Sequence, residues 1–375
     1  MKKRIIILGS TGSIGASTLD VVRAYPDAFS VVGLSSHNSA EKLLQLSDEF
    51  SVNSLALTSP EAEHPDVPYR GHEGLIRMLQ EVDAEMVVHG ISGADGLAFS
   101  VASLAHGKDL ALANKETVVT AGRLIFDLAE QHGRVIIPVD SEHSALFQLL
   151  RHRPRRTVSQ VILTASGGPF LRMDADSFRH ITPADALRHP TWSMGPKITI
   201  DSATLANKGL EVIEAGMFFS LKPDQIKVLI HPESLVHSLV ETREGSLYAQ
   251  VSNTDMKIPL LNAMSYPDIM EACFTPFTLS GKKLTFEEPD CTRFPMLSYA
   301  YEALARGGSY MIAYNAVNET AVDAFLNGRI PFIGIAELTS RMLAKDWSKA
   351  PADFQEVYDI SRRVGELASR EVTRL

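Results

Sequence analysis

The chain has 375 residues, 45% of them hydrophobic and 22% charged, which suffices to bury the cores of two or three domains. Its 45 acidic and 36 basic residues give a formal net charge of -9, which disfavours nucleic acid and anionic lipid as partners. Two cysteines are too few for a disulfide framework, and no stretch reaches the roughly 18 apolar residues of a membrane span, so we expect a cytoplasmic protein.

Short runs rich in Ile and Val alternate with helix-compatible stretches in the first part of the chain. The predicted strands are residues 4–8, 30–34, 85–88, 109–113 and 134–139. The predicted helices are residues 16–24, 40–50, 75–82, 97–105 and 118–131. This alternation favours right-handed crossovers and a parallel, doubly wound α/β sheet of the Rossmann type.

The rhythm changes after Val139, where long loops separate three further predicted strands. These strands are residues 158–164, 227–231 and 246–251. Helical spacing of Ala and Leu then predicts helices at residues 299–305, 313–326, 335–343 and 354–370. We therefore expect four parts: a nucleotide-binding domain (1–140), a central α/β catalytic domain (141–266) with a lid loop at about 186–196, a connector (267–290) and a C-terminal helical domain (291–375).

A glycine-rich turn, Gly9-Ser10-Thr11-Gly12-Ser13-Ile14-Gly15, directly follows the first strand and opens the first helix. Glycines there allow a tight turn and close approach of the backbone to a pyrophosphate, and the helix start offers N–H groups to the anion. The alternative is a glycine turn without a ligand, which the strand before and the helix after argue against. We predict a dinucleotide site that includes Thr11, Gly12, Ser13 and Ile14.

The second strand ends in Ser35-Ser36-His37-Asn38, without the Asp or Glu that would bind the ribose hydroxyls of NAD. A carboxylate would repel a 2′-phosphate, whereas hydroxyl, imidazole and amide groups donate hydrogen bonds to it. We therefore predict NADPH, with Ser36, His37 and Asn38 at the adenosine end. No arginine occurs in this turn.

Two carboxylates, Asp140 and Glu142, follow the fifth predicted strand. In an extended segment side chains at i and i+2 share a face, so both acids can point into the crevice at the carboxyl end of the sheet. Converging carboxylates suit Mg²⁺ or Mn²⁺, although such a pair is more often polar surface at the end of a strand. A third acid is needed for a metal site.

Glu211 is the candidate third acid, on a predicted helix where Asn207, Lys208 and Glu211 share one face. The alternative is an exposed Lys–Glu helix pair. Ser202 and the turn that begins at Ser166 add hydroxyl and backbone N–H groups, which are typical of a phosphate site. A metal beside a phosphate suits a sugar phosphate with a chelating hydroxy-ketone.

A lysine, a tryptophan, two histidines and a basic run each have both a functional and an ordinary structural interpretation. Lys115 ends the fourth strand at the crevice, where an exposed surface lysine is the alternative. Trp192, between His-Pro and Met-Gly-Pro, indicates a lid rather than a core tryptophan. The spacing of His231 and His237 does not match one helical face, which excludes a histidine metal site there, and the basic run 151–156 is interpreted as a solvated loop.

Taken together, these motifs resemble the 1-deoxy-D-xylulose 5-phosphate reductoisomerase family over essentially the full length. They are Gly9–Gly15, Ala113-Asn114-Lys115-Glu116, Pro138-Val139-Asp140-Ser141-Glu142-His143, Ser166-Gly167-Gly168, His189-Pro190-Thr191-Trp192, Asn207-Lys208-Gly209-Leu210-Glu211, His231-Pro232-Glu233-Ser234 and Asn315-Ala316-Val317-Asn318-Glu319. Ser36-His37 replaces the glycine and basic residue that such families often carry.

The resemblance implies a cytosolic homodimer that rearranges and reduces 1-deoxy-D-xylulose 5-phosphate to 2-C-methyl-D-erythritol 4-phosphate with NADPH and Mg²⁺, Mn²⁺ or Co²⁺. By motif, it places the metal on Asp140, Glu142 and Glu211, and the phosphate on Ser166, Ser202, Asn207 and Lys208. It places the remaining substrate contacts on Lys115, Ser141, Glu142, His189, Trp192 and His237. It adds Asn114, Glu116 and Gly195 to the cofactor site.

Two other functions remain open from the residues. One is an NADP-dependent semialdehyde or homoserine-type dehydrogenase, which would not need three converging carboxylates. The other is a nucleotide-sensing protein without catalysis, for which a metal site beside a phosphate site would have no use. Dependence of turnover on a divalent cation separates these possibilities.

Overall fold

The computed structural model describes residues 1–62, 64–188 and 195–374. The chain divides into two compact units. The first unit contains Met1–Thr117, Ile125–Phe147 and Asn253–Thr278, and the second contains Val118–Leu124, Gln148–Ser252 and Leu279–Leu375. Among the described helices, none combines the length and apolar character that a membrane crossing requires.

The first unit is built on a seven-stranded sheet in which every strand pair is parallel. Its strands are β1 (Lys3–Leu8), β2 (Phe29–Ser36), β3 (Leu55–Leu57), β4 (Tyr69–Arg70), β5 (Met86–His89), β6 (Asp109–Leu112) and β7 (Ile136–Pro138), in the order β4-β3-β2-β1-β5-β6-β7. The predicted Rossmann-type sheet is confirmed. The sequence prediction missed β3 and β4, because strands of three and two residues are too short to show periodicity.

Helices follow the strands as in other doubly wound sheets. They are α1 (Ser13–Ala24), α2 (Ala40–Phe50), α3 (Gly71–Glu81), α4 (Gly96–Ala105), α5 (Lys115–Ala121), α6 (Arg123–Gln131) and α7 (Ser141–Leu150). The single helix predicted at 118–131 is wrong: Gly122, with a φ of 50°, separates α5 from α6. A left-handed residue cannot continue an α-helix, so the chain turns there.

The second unit contains a mixed four-stranded sheet of order β11-β10-β8-β9. Its strands are β8 (Val158–Ala165), β9 (Ile226–Ile230), β10 (Val236–Thr242) and β11 (Leu247–Val251). The remaining helices of the chain are α8 (Pro183–Ala186), α9 (Pro196–Thr204), α10 (Ala206–Phe218), α11 (Lys257–Ser265), α12 (Pro295–Arg306), α13 (Tyr310–Leu326), α14 (Phe332–Leu343) and α15 (Phe354–Val372). The three predicted strands and four C-terminal helices are present, and β10 is an addition.

Helix α11 packs into the core of the first unit, although it follows the whole second sheet in the chain. Its Leu260 and Met264 are buried in one cluster with Ile5, Ile7 and Val88 of the parallel sheet. Lys3 donates hydrogen bonds to carbonyl groups at the end of this helix, which ties β1 to it. The compact units therefore do not follow the predicted boundary at 266, and the four-part domain division stays a prediction.

The turn from β1 into α1 is closely packed. Gly9 adopts a φ of 74°, which glycine tolerates and other residues rarely adopt. A Cβ atom on Gly15 would lie 2.4 Å from the carbonyl oxygen of Gly9 and 2.4 Å from Cα of Ser10. Gly15 therefore lets α1 start directly against the end of its own strand.

We expect Gly15→Ala to lower the free energy of unfolding by about 1–3 kcal/mol, since the backbone of the turn must move to admit the methyl group. Gly12→Ala is the matched control, because a Cβ on Gly12 meets its nearest neighbour at 3.4 Å and its φ is -85°. Urea unfolding followed by circular dichroism measures both. Equal stability of the two variants would contradict the packing described here.

Candidate active site

The glycine turn and the uncapped start of α1 form a cradle of backbone N–H groups in the first unit. Gly12 stands at the N-cap and has no side chain to accept hydrogen bonds from the first turn. The N–H groups of Ser13 and Ile14, in that turn, therefore offer donors and the positive end of the helix dipole to a ligand. The absent Cβ of Gly15 lets α1 begin directly against Gly9 and Ser10, and pyrophosphate binding at this turn stays a prediction.

Polar groups collect where β2 ends, beside this turn. The hydroxyl of Thr11 lies 2.8 Å from that of Ser36, and the Ser36 oxygen also accepts a hydrogen bond from the N–H of Ser39. Nδ1 of His37 lies 3.0 Å from the hydroxyl of Thr58. The predicted adenosine-end residues Ser36 and His37 are thus close to the glycine turn and free of carboxylate contacts in the described hydrogen bonds.

Asn114 and Glu116 hold the loop that follows β5. The amide of Asn114 donates to the carbonyl oxygens of Ile91 and Gly93, both at 2.9 Å, and Glu116 accepts from the N–H of Gly93 at 3.2 Å. The Asn114 oxygen accepts from Thr117. Both residues thus shape this loop at the carboxyl edge of the sheet, and their direct contact with the cofactor stays a prediction.

His89, the last residue of β5, is fully buried beside that loop. No described group hydrogen-bonds either ring nitrogen, and the ring packs near Phe99. Burial lowers the pKa of His89 to about 4, so the ring is neutral at pH 7. This uncharged side chain packs under the loop without adding a charge to the nucleotide site.

A buried ion pair joins the ends of β6 and β7. Nζ of Lys115 lies 2.6 Å from Oδ2 of Asp140, with the lysine side chain only 5% exposed. The alternative of a snorkelling surface lysine is therefore excluded. Lys115 and Asp140 are brought together at the crevice, where the sequence placed each of them.

The predicted geometry of the Asp140–Glu142 pair is wrong in one respect. Glu142 lies in the first turn of α7, not in an extended segment, because the helix begins at Ser141. The two carboxylates nevertheless approach within 4.8 Å, since the N–H of Glu142 donates to Oδ1 of Asp140 and folds the turn. Ser141 donates to the Glu142 carboxylate. Their oxygen atoms suit a hard divalent cation.

In the second unit, α10 carries a buried charged group. Lys208 is 3% exposed and Glu211 is 1% exposed, and the two form an ion pair. The amide of Asn207 donates to the second oxygen of Glu211 at 2.6 Å. The alternative of an exposed Lys–Glu helix pair is therefore wrong.

The turn that begins at Ser166 packs against α9. Gly167 and Gly168 both have positive φ, and a Cβ on Gly168 would lie 2.6 Å from the carbonyl oxygen of Ser202. The hydroxyl of Ser166 approaches the N–H of Gly168 at 3.4 Å. The structure thus brings the Ser166 turn to Ser202, as the predicted phosphate site requires.

Leu205, in a left-handed conformation, separates α9 from α10. It therefore sets the angle between the helix that carries Ser202 and the helix that carries Asn207.

The hydroxyl of Tyr314, on α13, donates to the carbonyl oxygen of Met296 and lies 3.5 Å from the carbonyl oxygen of Ala206. Burial, together with the charge of Asp201, raises the pKa of Tyr314 well above its usual value, so the phenol stays neutral. A Cβ on Gly209 would lie 2.4 Å from this hydroxyl, which explains the glycine between Lys208 and Leu210.

Sequence reasoning missed Asp201 and Asn318, which form a buried polar contact between α9 and α13. Asp201 is buried, and its carboxylate accepts from Nδ2 of Asn318 at 2.7 Å and from Nζ of Lys197 at 2.8 Å. Asn315, one turn earlier on α13, is also buried, but no described group hydrogen-bonds its amide. Two amides next to apolar residues in the predicted helix 313–326 were the available signal.

The two histidines after β9 differ in their roles. Both ring nitrogens of His231 are used, since Nδ1 donates to the carbonyl of Thr285 and Nε2 accepts from the N–H groups of Leu235 and Val236. Because both ring nitrogens are already hydrogen-bonded, His231 has no free lone pair for a metal ion in this arrangement. His237 is buried in β10, where its backbone carbonyl accepts from Thr164, and its substrate contact stays a prediction.

Part of the predicted lid cannot be placed. His189, Trp192 and Met194 lie outside the described residues. Gly195 is the N-cap of α9, where Pro196 follows in the first helical position.

Asn38, the third residue predicted at the adenosine end, lies after β2. Its side-chain oxygen accepts a hydrogen bond from the hydroxyl of Ser39 at 3.4 Å.

Comparison with known proteins shows one family along the chain. Residues 5–122 match the model described as 1-deoxy-D-xylulose 5-phosphate reductoisomerase, residues 136–219 match the model of its C-terminal domain, and residues 251–367 match a model described as DXP reductoisomerase C-terminal domain. The proteins of that name from Treponema denticola and Geotalea uraniireducens are 44% and 48% identical to this chain. The first covers 98% of this chain and 96% of its own, and the second covers 91% of each.

Solved structures agree with these relatives. A crystal structure of DOX-P reductoisomerase in complex with NADPH, fosmidomycin and magnesium has a TM-score of 0.91 and 35% identity, over 99% of this chain and 98% of its own. The 1-deoxy-D-xylulose 5-phosphate reductoisomerase of Zymomonas mobilis, in complex with NADPH, has a TM-score of 0.91 and 34% identity over 100% of both chains.

We expect Asn318→Leu to lower the free energy of unfolding by about 1.5–3 kcal/mol, because the buried Asp201 carboxylate loses a hydrogen-bond donor. Asn315→Leu is the matched control on the same face of α13: it removes two unpartnered polar atoms and is expected to be neutral or stabilising. Thermal and urea unfolding compare the two proteins. A destabilisation as large in Asn315→Leu as in Asn318→Leu would contradict the importance of the Asp201 contact.

Proposed function

Because this chain belongs to the 1-deoxy-D-xylulose 5-phosphate reductoisomerase family, we propose that it converts 1-deoxy-D-xylulose 5-phosphate to 2-C-methyl-D-erythritol 4-phosphate, a step of the methylerythritol phosphate route to isoprenoids. It is an NADPH-dependent oxidoreductase that also requires a divalent cation. The observation that carries the assignment is the buried Lys208–Glu211 pair of α10 with the amide of Asn207 bonded to it, since a buried charged group is costly to maintain and is typical of functional sites.

The residues fit both NADPH and a divalent cation, the two groups that the reaction needs. The uncapped start of α1, which Gly15 allows to pack directly against the end of β1, suits a dinucleotide pyrophosphate. Asp140 and Glu142 offer the carboxylate oxygens that Mg²⁺ and Mn²⁺ prefer. We propose Glu211 as the third ligand, supported by its buried carboxylate and by the two donors that fix its position. Mn²⁺ and Co²⁺ as alternatives to Mg²⁺ belong to the same proposal.

The chain's own residues bind and orient the sugar phosphate. Ser166, Ser202, Asn207 and Lys208 bind the phosphate, with the lysine supplying the positive charge. Fixing this end of the substrate places its ketone and adjacent hydroxyl at a constant position.

At the reacting end, the ammonium of Lys115, held by Asp140, and the hydroxyl of Ser141, held by Glu142, contact the oxygens of the substrate. His189 and His237 join these contacts, and Trp192 in the lid excludes water during the reaction. When bound, the cation supplies a Lewis acid for the rearrangement and NADPH supplies the hydride.

The proposal extends to assembly and location. We propose a homodimer, supported by the edge strand β11, where Leu247 and Tyr248 are both exposed and backbone groups are open to pairing. We propose a cytoplasmic location, supported by the unpaired and exposed Cys273 and Cys291, which fit a reducing compartment.

We expect oxidation of NADPH to require both 1-deoxy-D-xylulose 5-phosphate and a divalent cation, because reduction follows the metal-assisted rearrangement. Loss of NADPH absorbance measures turnover, and added Mg²⁺ should restore activity after chelation. A homoserine-type dehydrogenase would instead turn over its own substrate without metal. Turnover that persists with chelator, or none with both components present, would refute the proposed function.

We expect Glu211→Gln to raise the Mg²⁺ concentration for half-maximal turnover by at least about tenfold, since cation affinity falls with the charge of the ligands. NADPH affinity, measured by fluorescence titration, should change little, because the nucleotide cradle lies in the first unit. Glu302→Gln, an exposed helix glutamate of the second unit, is the control. Equal losses of metal and NADPH affinity would mean that Glu211 is not a cation ligand.

A further inference from the structure

Lys42 lies in the first turn of α2, and the predicted nucleotide-site residues do not include it. Its side chain is exposed to solvent, and its Nζ donates a hydrogen bond to the carbonyl oxygen of Thr11 at 2.9 Å. Thr11 belongs to the glycine turn, so α2 brings an ammonium group to the edge of the dinucleotide cradle. The contact joins residues 31 positions apart, which no local motif shows.

Hydroxyl and N–H groups lie beside the Thr11 carbonyl oxygen that this ammonium contacts. The hydroxyl of Thr11 lies 2.8 Å from that of Ser36, and Ser36 in turn accepts from the N–H of Ser39. Both serines lie where β2 ends and α2 begins. Glu41 is the neighbouring acid on α2, and the described hydrogen bonds and ion pairs do not join it to Lys42.

This position matters because the end of the second strand meets the adenosine ribose in doubly wound dinucleotide-binding folds. An acid there selects NAD through the ribose hydroxyls, whereas a cation there accommodates the 2′-phosphate of NADP. Serine and threonine hydroxyls can donate to that phosphate but cannot balance its charge. A lysine that reaches the strand end supplies the missing positive charge.

We infer that Lys42 binds the 2′-phosphate of NADPH and is the residue by which this chain distinguishes NADPH from NADH. The inference deepens the proposed function, on which it rests for the identity of the cofactor. It assigns recognition to Thr11, Ser36 and Lys42 together: two hydroxyls orient the phosphate and the ammonium supplies its counter-charge. Lys42 is therefore a specificity residue rather than a catalytic one.

The test compares the binding of NADPH and NADH to the purified protein. Binding is measured by the fluorescence of the reduced nucleotide, in the absence of sugar phosphate. Lys42→Met keeps the aliphatic stem and removes the charge, and we expect it to weaken NADPH binding by about tenfold while NADH binding stays unchanged. The loss should shrink as ionic strength rises, because salt screens an exposed charge pair. Lys42→Arg should restore most of the preference for NADPH.

Lys2→Met is the matched control, since it removes one exposed lysine from the same unit and changes the net charge equally. A second pair of probes, 2′,5′-ADP and 5′-AMP, isolates the phosphate, and only the first should lose affinity in Lys42→Met. Equal loss of NADPH and NADH affinity, or an unchanged ratio of the two, would overturn the inference. Such a result would show that Lys42 only supports the Thr11 turn.

The outcome is separable from that of the proposed function. If the unmodified protein binds NADPH but does not turn over 1-deoxy-D-xylulose 5-phosphate, the proposed reaction fails while the binding comparison still decides the role of Lys42. If turnover is normal and Lys42→Met keeps the same preference for NADPH, the inference fails and the proposed function stands.

Discussion

The structure depends on one constraint, which is that charges removed from water must be paired. Lys208 and Glu211 are almost completely buried on α10, where an isolated ion of either kind would cost several kcal/mol of desolvation energy. Their mutual attraction and the amide of Asn207 compensate for that cost. Apolar residues of similar size would often stabilise a protein equally well or better, so the presence of this pair indicates a function beyond stability.

The same constraint governs the other buried charged groups of each unit. In the first unit, Lys115 neutralises Asp140 at the end of the parallel sheet, which leaves Glu142 beside it as a further oxygen donor. In the second unit, Asp201 is balanced by Lys197 and Asn318. These contacts hold side chains in fixed positions before substrate arrives, which lowers the cost of ordering them on binding. Packing also contributes, because Gly209 lets α10 approach Tyr314 closely.

Where the sequence predictions succeeded, the signal was local. Strand and helix periods predicted the parallel sheet, which the structure confirms. Where they failed, the deciding feature was short or non-local. Strands β3 and β4 are too short to show a period, Gly122 divides a helix whose apolar pattern is continuous, and Glu142 approaches Asp140 through a helical turn. The choice of these acids as cation ligands stays a prediction, and the extended geometry argued for them was wrong.

The sequence by itself determined the doubly wound sheet and pointed to the family and to NADPH as its cofactor, because strand and helix periods and turn chemistry act over a few neighbouring positions. It also named the candidate site residues, which stay predictions. Only the tertiary structure decided that Lys208 and Glu211 are buried, that Asn318 holds Asp201, and that Lys42 reaches Thr11. Burial and contacts between distant residues depend on how helices pack, and a side chain's charge or polarity does not reveal its neighbours in the folded chain.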